Sequence, residues 1–175
     1  MYCILDIDLD YFAMLASPVR RLQELLDWGG CPVSFVVEQH NQAFARWRRL
    51  LHKSGTSPSH ILHVDEHHDM MDERKLANIA NFMYHAMHMW PRCRVHWLVQ
   101  DPIDCPSMWL REETWSSLRR RFSRGPERPA SWPRPDLVSV CTSPDFIDPE
   151  LAHNLLLVVQ QFTKSRQRKK DKPRS

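Results

Sequence analysis

Short apolar runs and amphipathic segments alternate along the chain. The apolar runs are residues 2–9, 33–37, 61–64, 95–99 and 137–141. Their composition and length are typical of buried strands. Between them, apolar residues recur at the spacing of one helix face. This alternation predicts a single-domain α/β fold, a three-layer sandwich whose mostly parallel sheet has about five or more strands joined by right-handed crossovers.

Capping and stop signals indicate where the helices begin and end. Ser17 caps the first helix, Pro18 occupies its first position, and the Gly29-Gly30 pair ends it. The other helices are predicted at residues 43–51, 76–90, 112–122 and 150–162. Residues 125–135 contain four prolines and are predicted to form an internal loop.

The composition is that of one cytoplasmic domain. With 175 residues, 42% of them hydrophobic, the chain can bury a substantial core. It has no apolar run near the ~20 residues of a membrane span, and its first residues lack the flanks of a signal peptide. Five widely spaced cysteines favour neither a disulfide framework nor a structural zinc site.

The net charge of +3 conceals a basic C-terminus. Residues 164–175 hold seven Lys or Arg and one Asp, so the rest of the chain is mildly acidic. A Lys/Arg-rich terminus without apolar residues is usually solvated and disordered. We therefore predict a folded domain at residues 1–163 and a disordered basic tail at residues 164–175, and the tail does not favour a nucleic-acid-binding role.

Carboxylates and imidazoles follow the first three predicted strands. Because the carboxyl ends of parallel strands lie at one edge of a sheet, these side chains can converge on one crevice. Within each group, alternate residues of an extended backbone project to one side. Acidic loops after strands are common without any function, but here the pattern occurs three times. The candidate ligands are Asp6, Asp8, His40, Asp65, His67 and Asp69, with Glu38 beside them.

Four carboxylates and two imidazoles exceed what a single tetrahedral ion requires. Such donors suit Mn²⁺ or Zn²⁺, and two ions roughly 3.5 to 4 Å apart can share a water and lower its pKa. The predicted reaction class is hydrolysis. An alternative is a haloacid-dehalogenase-like site, in which the first Asp of a D-x-D strand is the nucleophile, but it leaves the D-x-H-x-D cluster of Asp65, His67 and Asp69 unexplained.

Several segments resemble the arginase, agmatinase and histone-deacetylase-like ureohydrolases. VDEHHD is similar to their D-A-H-x-D ligand motif, and LDID to their S-F-D-x-D strand. Together with VVEQH and PDLVSVCTSPDFIDPE, they resemble the small arginase-like family that includes the bacterial peptide arginases. The resemblance covers most of the chain. It implies an arginase-like catalytic domain at residues 1–163, which converts arginine side chains of a ribosomally made precursor peptide to ornithine and urea.

The resemblance also implies a ligand set for two Mn²⁺ ions. Asp65, His67 and Asp69 match the D-x-H-x-D ligands, and His40 matches the histidine of the earlier strand end. Asp6 and Asp8 match the D-x-D pair. Asp10 lies on the same face by alternation and is the second choice if the register shifts by two residues.

The chain departs from the family pattern in two ways. In arginases the D-x-D strand follows the other motifs, whereas here it begins the chain, as in a circular permutation. Where arginases hold the guanidinium with a glutamate, this chain has Cys141, which cannot bind a guanidinium by charge. Glu38, Glu66 or Asp145 would then have to bind the guanidinium. The catalytic candidates are His68, a possible general acid, and Glu38; the substrate-binding candidates are Glu66, Ser143 and Asp145.

Two other functional classes remain open from the sequence. One is another binuclear metal hydrolase, a phosphoesterase or a deacetylase, and the other is a non-catalytic protein that binds a partner through its basic tail. Only a ureohydrolase would release urea. Since the chain has no evident cluster to grip a free amino acid, we expect an arginine within a peptide to be the better substrate.

Overall fold

The computed structural model describes residues 1–101 and 104–170. A parallel sheet of six strands forms its centre, in the order β2-β6-β1-β3-β4-β5. This confirms the predicted α/β fold. The strands are β1 (Cys3–Asp8), β2 (Phe35–Val37), β3 (His60–Val64), β4 (Arg94–Leu98), β5 (Phe122–Gly125) and β6 (Leu137–Cys141).

Helices cover both faces of the sheet. The five helices are α1 (Pro18–Gly29), α2 (His40–Ser54), α3 (Phe82–Met89), α4 (Glu112–Leu118) and α5 (Pro149–Lys170). Helices α1 and α5 pack together over one face, and α2, α3 and α4 contribute to the core on the other. The result is the expected single-domain three-layer sandwich.

Strand β1 is buried on both faces and divides the core in two. Ile4 belongs to the apolar cluster under α2 and α3, whereas Leu5 and Ile7 belong to the cluster under α1 and α5. Alternation therefore directs Asp6 and Asp8 toward the α2 side. A buried strand of this kind lies at the centre of a parallel sheet, as β1 does.

Two elements differ from the sequence prediction. Helix α3 begins at Phe82 instead of residue 76, because a loop stabilised by its own side chains occupies the intervening residues. Residues 122–125, predicted as the end of a helix and the start of a loop, form the edge strand β5. Its sequence, FSRG, has one apolar residue and lacks the alternation by which strands are recognised.

The C-terminal segment also differs from its prediction. Helix α5 continues to Lys170, so residues 164–170, predicted as part of a disordered tail, are helical. Arg166 explains this extension, since its guanidinium lies 3.1 Å from Asp27 of α1 and stacks over the Phe162 ring. The rest of the tail, residues 171–175, lies outside the described residues. In the part of the chain that the structure describes, every helix is too short or too polar to cross a membrane.

Candidate metal centre

Four neighbouring strands, β2, β6, β1 and β3, deliver polar side chains to one edge of the sheet. These side chains line a pocket of about 170 Å³. The predicted ligands brought together there are Asp8, His40, Asp65, His67 and Asp69, joined by Asp10. The predicted convergence of three strand ends is therefore present, and the residues after β6 form a fourth side of the pocket.

His40 lies at the centre of the cluster. Its Nδ1 atom is 3.3 Å from Asp8 Oδ2, 3.2 Å from Asp65 Oδ2 and 3.1 Å from Asp69 Oδ2. Its Nε2 atom is 3.4 Å from Asp6 Oδ2. His40 is the first residue of α2, so the positive end of that helix dipole also faces the carboxylates. Strand β1 and the segment after β3 thus present carboxylates to one buried imidazole.

A second group of donors lies beside the first. His67 Nδ1 is 3.5 Å from Asp10 Oδ2 and 3.6 Å from Asp65 Oδ1. These contacts with Asp10 and Asp65 raise the pKa of His67 to about 11. Asp65 therefore belongs to both groups, with Oδ1 facing His67 and Oδ2 facing His40. The two oxygens of Asp65 therefore face two different groups of donors.

Asp10, the second choice from the sequence, lies in the pocket, whereas Asp6 lies behind it. Asp6 is fully buried in the middle of β1 and accepts a hydrogen bond from Ser139 Oγ at 2.8 Å. Ser139 in turn accepts one from Trp47 Nε1 at 3.1 Å. The D-x-D pair that lines the pocket is therefore Asp8 and Asp10, two residues further along the chain than the predicted pair, Asp6 and Asp8.

His63 is a member of the cluster that sequence reasoning missed. It is fully buried in β3, and its Nδ1 contacts Asp6 Oδ2 at 3.1 Å. Its Nε2 is 3.4 Å from Asp65 Oδ2 and donates to the His67 carbonyl at 3.2 Å. Although burial opposes it, the charge of Asp65 with the other carboxylates raises the pKa of His63 to about 10. Its parity was the available signal, because residues 63 and 65 are two apart at the end of β3 and so share a face.

Burial and mutual repulsion shift the ionisation of the clustered groups. Burial, and secondarily Asp69, raises the pKa of Asp65 well above its usual value. Burial also raises the pKa of Asp8 to about 7, against the opposing effect of His40. For His40, burial lowers the pKa, but Asp6 and Asp8 outweigh it and hold that pKa well above its ordinary value. Bound cations are the usual means of neutralising so concentrated a negative charge.

The donor set fits a divalent metal ion. Buried carboxylate oxygens and imidazole nitrogens lie within 4.8 Å of one another in groups of three. Among the described residues, three buried atoms of the site lack a well-oriented hydrogen bond: Asp10 Oδ1, His40 Nε2 and Asp69 Oδ2, of which the last two make ion-pair contacts only, at 3.4 Å with Asp6 and 3.1 Å with His40. Buried polar atoms without partners are rare unless an ion or ligand uses them. The cluster is therefore able to hold a metal ion.

The backbone is strained at two positions around the pocket. Asp69 has φ 50° and Ser143 has φ 40°, values that residues other than glycine rarely adopt. The Asp69 carbonyl accepts the Met83 amide at 3.1 Å, and the Ser143 hydroxyl donates to Asp8 Oδ2. Such conformations persist where surrounding contacts hold them, commonly at functional sites.

The predicted substrate-binding and catalytic residues divide between pocket and surroundings. Glu38, Ser143 and Asp145 line the pocket. Glu66 is partly buried but lies outside that lining, and burial raises the pKa of its carboxyl. Three of the five predicted catalytic and substrate-binding residues therefore line the pocket.

His68, the predicted general acid, points away from the pocket. Its Nδ1 accepts the Met70 amide at 3.0 Å, its ring packs edge-on against Trp97, and its Nε2 is 3.4 Å from Asp104 Oδ2. It is fully buried, and burial lowers its pKa to about 4. In this arrangement His68 supports the ligand loop and does not reach a substrate.

Cys141, at the place of the arginase glutamate, is buried beside the cluster. Its Sγ lies 3.3 Å from the Glu38 carbonyl and 3.3 Å from Ser143 Oγ. It also forms a group of possible donors with Asp8 and His40. Burial raises the pKa of the thiol to about 12, so Cys141 stays neutral and supplies no charge for a cation.

Comparison of the chain with protein-family models, curated proteins and solved structures finds no match.

Proposed function

We propose that the protein is a manganese-dependent hydrolase that converts arginine side chains in a ribosomally made peptide to ornithine and urea. The observation that carries the proposal is the shared carboxylate of Asp65, which joins the buried donor group around His40 to a second group around the partly exposed His67 in one pocket. The similarity of VDEHHD and LDID to ureohydrolase motifs supports the same reaction. A precursor peptide of this kind would be modified in the cytoplasm, the compartment proposed for the protein.

The proposed ligands divide into two sets that share Asp65. His40 and Asp69 would hold one ion, His67 and Asp10 the other, and Asp8 lies next to both sets through His40 and Asp10. Oxygen donors with imidazole suit Mn²⁺. Ions bound there would lower the pKa of a water and withdraw charge from the carboxylates. His63 and Asp6 would orient the ligands from behind, as outer-shell partners do.

The charge of the pocket favours a cationic substrate. Glu38 and Asp145 add two carboxylates to its walls, and no Lys or Arg is among the described residues that line it. A guanidinium is a planar cation that carboxylates bind in defined geometry. Phosphate esters would meet repulsion here, which argues against the phosphoesterase alternative.

The proposed reaction is hydrolysis of the guanidinium C–N bond. Water adds to the guanidinium carbon, the bond from that carbon to Nε breaks, and Nε leaves with a proton as the ornithine amine, so that urea is the second product. Glu38 is the proposed carrier of that proton, since its carboxyl lines the pocket. Asp145 is proposed to hold the guanidinium in place of the glutamate found in arginases.

The decisive experiment measures urea release with Mn²⁺ present. The substrates are an arginine-containing peptide, the same peptide with lysine at that position, and free arginine at matched concentration. We expect urea from the arginine peptide, none from the lysine peptide and little from free arginine. Efficient turnover of free arginine would overturn the peptide assignment, and no urea from any arginine peptide would overturn the ureohydrolase proposal.

Two pocket variants separate the proposed roles. Glu38→Gln should lower kcat, by roughly 10²-fold if it carries the proton. Asp145→Asn should raise KM more than it lowers kcat, since it acts in binding. Asp148→Asn, which changes an exposed carboxylate at the start of α5 near the pocket loop, is the matched control and should leave both parameters unchanged.

A further inference from the structure

An apolar rim surrounds the mouth of the acidic pocket. It has two sides, one from the loop that precedes α3 and one from the loop that follows β6. The rim residues are Met71, Ile79, Ala80, Pro144 and Phe146. Together with the Asp and His donors below them, they make a site that is anionic at its floor and apolar at its opening.

Two rim residues expose large apolar surfaces to solvent. Phe146 is 58% exposed and Ile79 is 40% exposed. The three methylenes of an arginine that enters the pocket can cover only the inner part of this surface. Exposed apolar groups that border a binding site commonly contact a ligand. The outer part of the rim is therefore available to another portion of the same ligand.

The Ile79 side of the rim is held in place by a buried network. The Met71 amide donates to the Ala80 carbonyl at 2.8 Å, which closes the loop. Asn81 is fully buried, and its Nδ2 donates to Asp72 Oδ1 at 2.6 Å. Its Oδ1 accepts the Asn78 amide at 2.7 Å. A rim fixed in this way can select among ligands without first losing conformational entropy.

The Phe146 side is equally constrained. The Phe146 amide donates to the Ser143 carbonyl at 2.9 Å, which closes a turn. Its ring meets the His67 ring edge-on, with centroids 6.1 Å apart. Ser143 itself is tied to Asp8 of the donor cluster. The rim is thus connected on this side to the residues proposed to bind metal.

We propose that the rim binds an apolar side chain adjacent to the arginine in the peptide, so that the enzyme prefers Leu-Arg or Arg-Leu sequences over their Ser counterparts. This inference rests on the proposed function, because the arginine in the pocket determines which residue reaches the rim. The acidic floor would bind the guanidinium cation of the arginine, and the apolar rim would bind the side chain of the residue next to it. The proposed occupant is therefore a linear peptide with an apolar residue beside its arginine.

The experiment compares four peptides that differ only beside the arginine, with Leu or Ser on its N-terminal or C-terminal side. Urea release gives kcat/KM, and fluorescence anisotropy of labelled peptides gives binding in the Mn²⁺-loaded protein. Wild-type protein is compared with Ile79→Ser. The matched control is Leu157→Ser on α5, because Leu157 is 39% exposed, against 40% for Ile79, and is not among the residues that line the pocket.

We expect wild-type protein to favour at least one Leu peptide by about tenfold in kcat/KM, the effect of a few buried methylenes. Ile79→Ser should reduce that preference to threefold or less, an approximate limit set by the loss of most of the apolar contact. Leu157→Ser should keep the full preference. Ile79 is not one of the metal-donor residues, so metal content should stay constant in Ile79→Ser and in Leu157→Ser. The metal content of Phe146→Ala must be measured as well, because the Phe146 ring touches His67.

The outcomes separate this inference from the proposed function. Urea from all four peptides at equal efficiency would overturn the rim and leave the ureohydrolase intact. Tighter binding of a Leu peptide that Ile79→Ser abolishes, without urea from any peptide, would support the rim and overturn the reaction. If all four peptides bound equally tightly and none released urea, both the rim proposal and the ureohydrolase proposal would be overturned. A Leu preference that Ile79→Ser and Phe146→Ala both retain would place the apolar subsite elsewhere.

Discussion

Asp65 contributes one carboxylate oxygen to each donor group, so its two oxygens have separate partners. The Asp65 amide donates to the Leu98 carbonyl at 3.4 Å, and Asp65 directly follows β3, so its backbone position is fixed. Its Oδ1 also accepts the His67 amide at 2.7 Å, which orients the loop that carries the next ligand. A change at Asp65 should therefore affect both groups, and a change at His67 only one.

The first prediction concerns metal content. Asp65→Asn should reduce bound Mn²⁺ from the two ions expected of a shared-carboxylate site to fewer than one, whereas His67→Ala should lose about one. Metal per protein is measured by mass spectrometry after loading and gel filtration. Asp27→Asn, an exposed carboxylate on α1, is the control and should match wild type. Unchanged stoichiometry in both ligand variants would contradict the site.

The second prediction concerns His96, a buried histidine far from the pocket lining. Its Nε2 donates to the Glu127 carbonyl at 3.0 Å, so its Nδ1 accepts from Ser123 Oγ at 2.8 Å. Burial lowers its pKa below the ordinary 6.5. A histidine whose folded pKa is depressed contributes stability above the unfolded pKa and loses it as pH falls. The neutral ring is therefore the form that stabilises the fold.

In chelator, so that metal release plays no part, the stabilising contribution of His96 should decrease as pH falls below 6.5. His96→Gln should be less stable than wild type at neutral pH, and the difference in unfolding free energy between the two proteins should narrow as pH falls through this interval. Urea unfolding followed by circular dichroism at several pH values provides the measurement. Parallel pH profiles for the two proteins would show that His96 does not contribute to the acid sensitivity.

At the scale of elements, α3 supports the candidate centre from above the sheet. Phe82 stacks on the His40 ring, with centroids 4.8 Å apart, and meets His63 edge-on at 5.6 Å. It also packs near Trp47 of α2. Phe82 is fully buried, so α3 contributes an aromatic surface that restricts the orientation of two imidazoles.

The third prediction follows from this packing. Phe82→Leu should weaken Mn²⁺ binding by roughly tenfold, a loss typical of disturbed outer-shell support. Met83→Leu, at the neighbouring fully buried position, should cost less than about 1.5 kcal/mol of unfolding free energy and leave Mn²⁺ affinity unchanged. Calorimetric titration of both variants gives the affinities. Equal affinity in the two would mean that α3 does not orient the imidazoles.

At the scale of the whole molecule, α5 links the pocket to the C-terminus. It starts shortly after the loop that carries Ser143 and Phe146, and its apolar residues, among them Leu155 and Val159, pack in the core with α1. Thr163 lies roughly 20 Å along the helix from Pro149, at the usual rise per residue. Residues beyond Thr163 are therefore remote from the pocket.

The fourth prediction concerns truncation. A chain that ends at Thr163 should keep the kcat of the full chain, because the pocket is intact. It should lose about 1 kcal/mol or less of stability, since the Arg166 contacts with Asp27 and Phe162 are partly exposed. A chain that ends at Lys170 is the control and should match the full chain in both. Loss of turnover at saturating peptide in the shorter chain would contradict the remoteness of this segment.

The sequence by itself determined the fold class and the edge of the sheet that carries the candidate site. Apolar runs separated by helical periodicity predict parallel strands, and parallel strands align their carboxyl ends. Both properties are local, because they depend on the spacing of residues within one element. Asp8, His40, Asp65, His67 and Asp69 could therefore be expected to meet before any contact between strands was known.

Only the tertiary structure decided which members of an alternating series reach the pocket. Asp6, Asp8 and Asp10 share one parity in the sequence, but Asp6 is buried beside His63 within β1 while Asp10, just after β1, lines the pocket. His68 is turned inward by packing on Trp97, a contact between β4 and the ligand loop that no local pattern encodes. Depth, strand order and burial depend on residues far apart in the chain, and this is why they became readable only in the folded molecule.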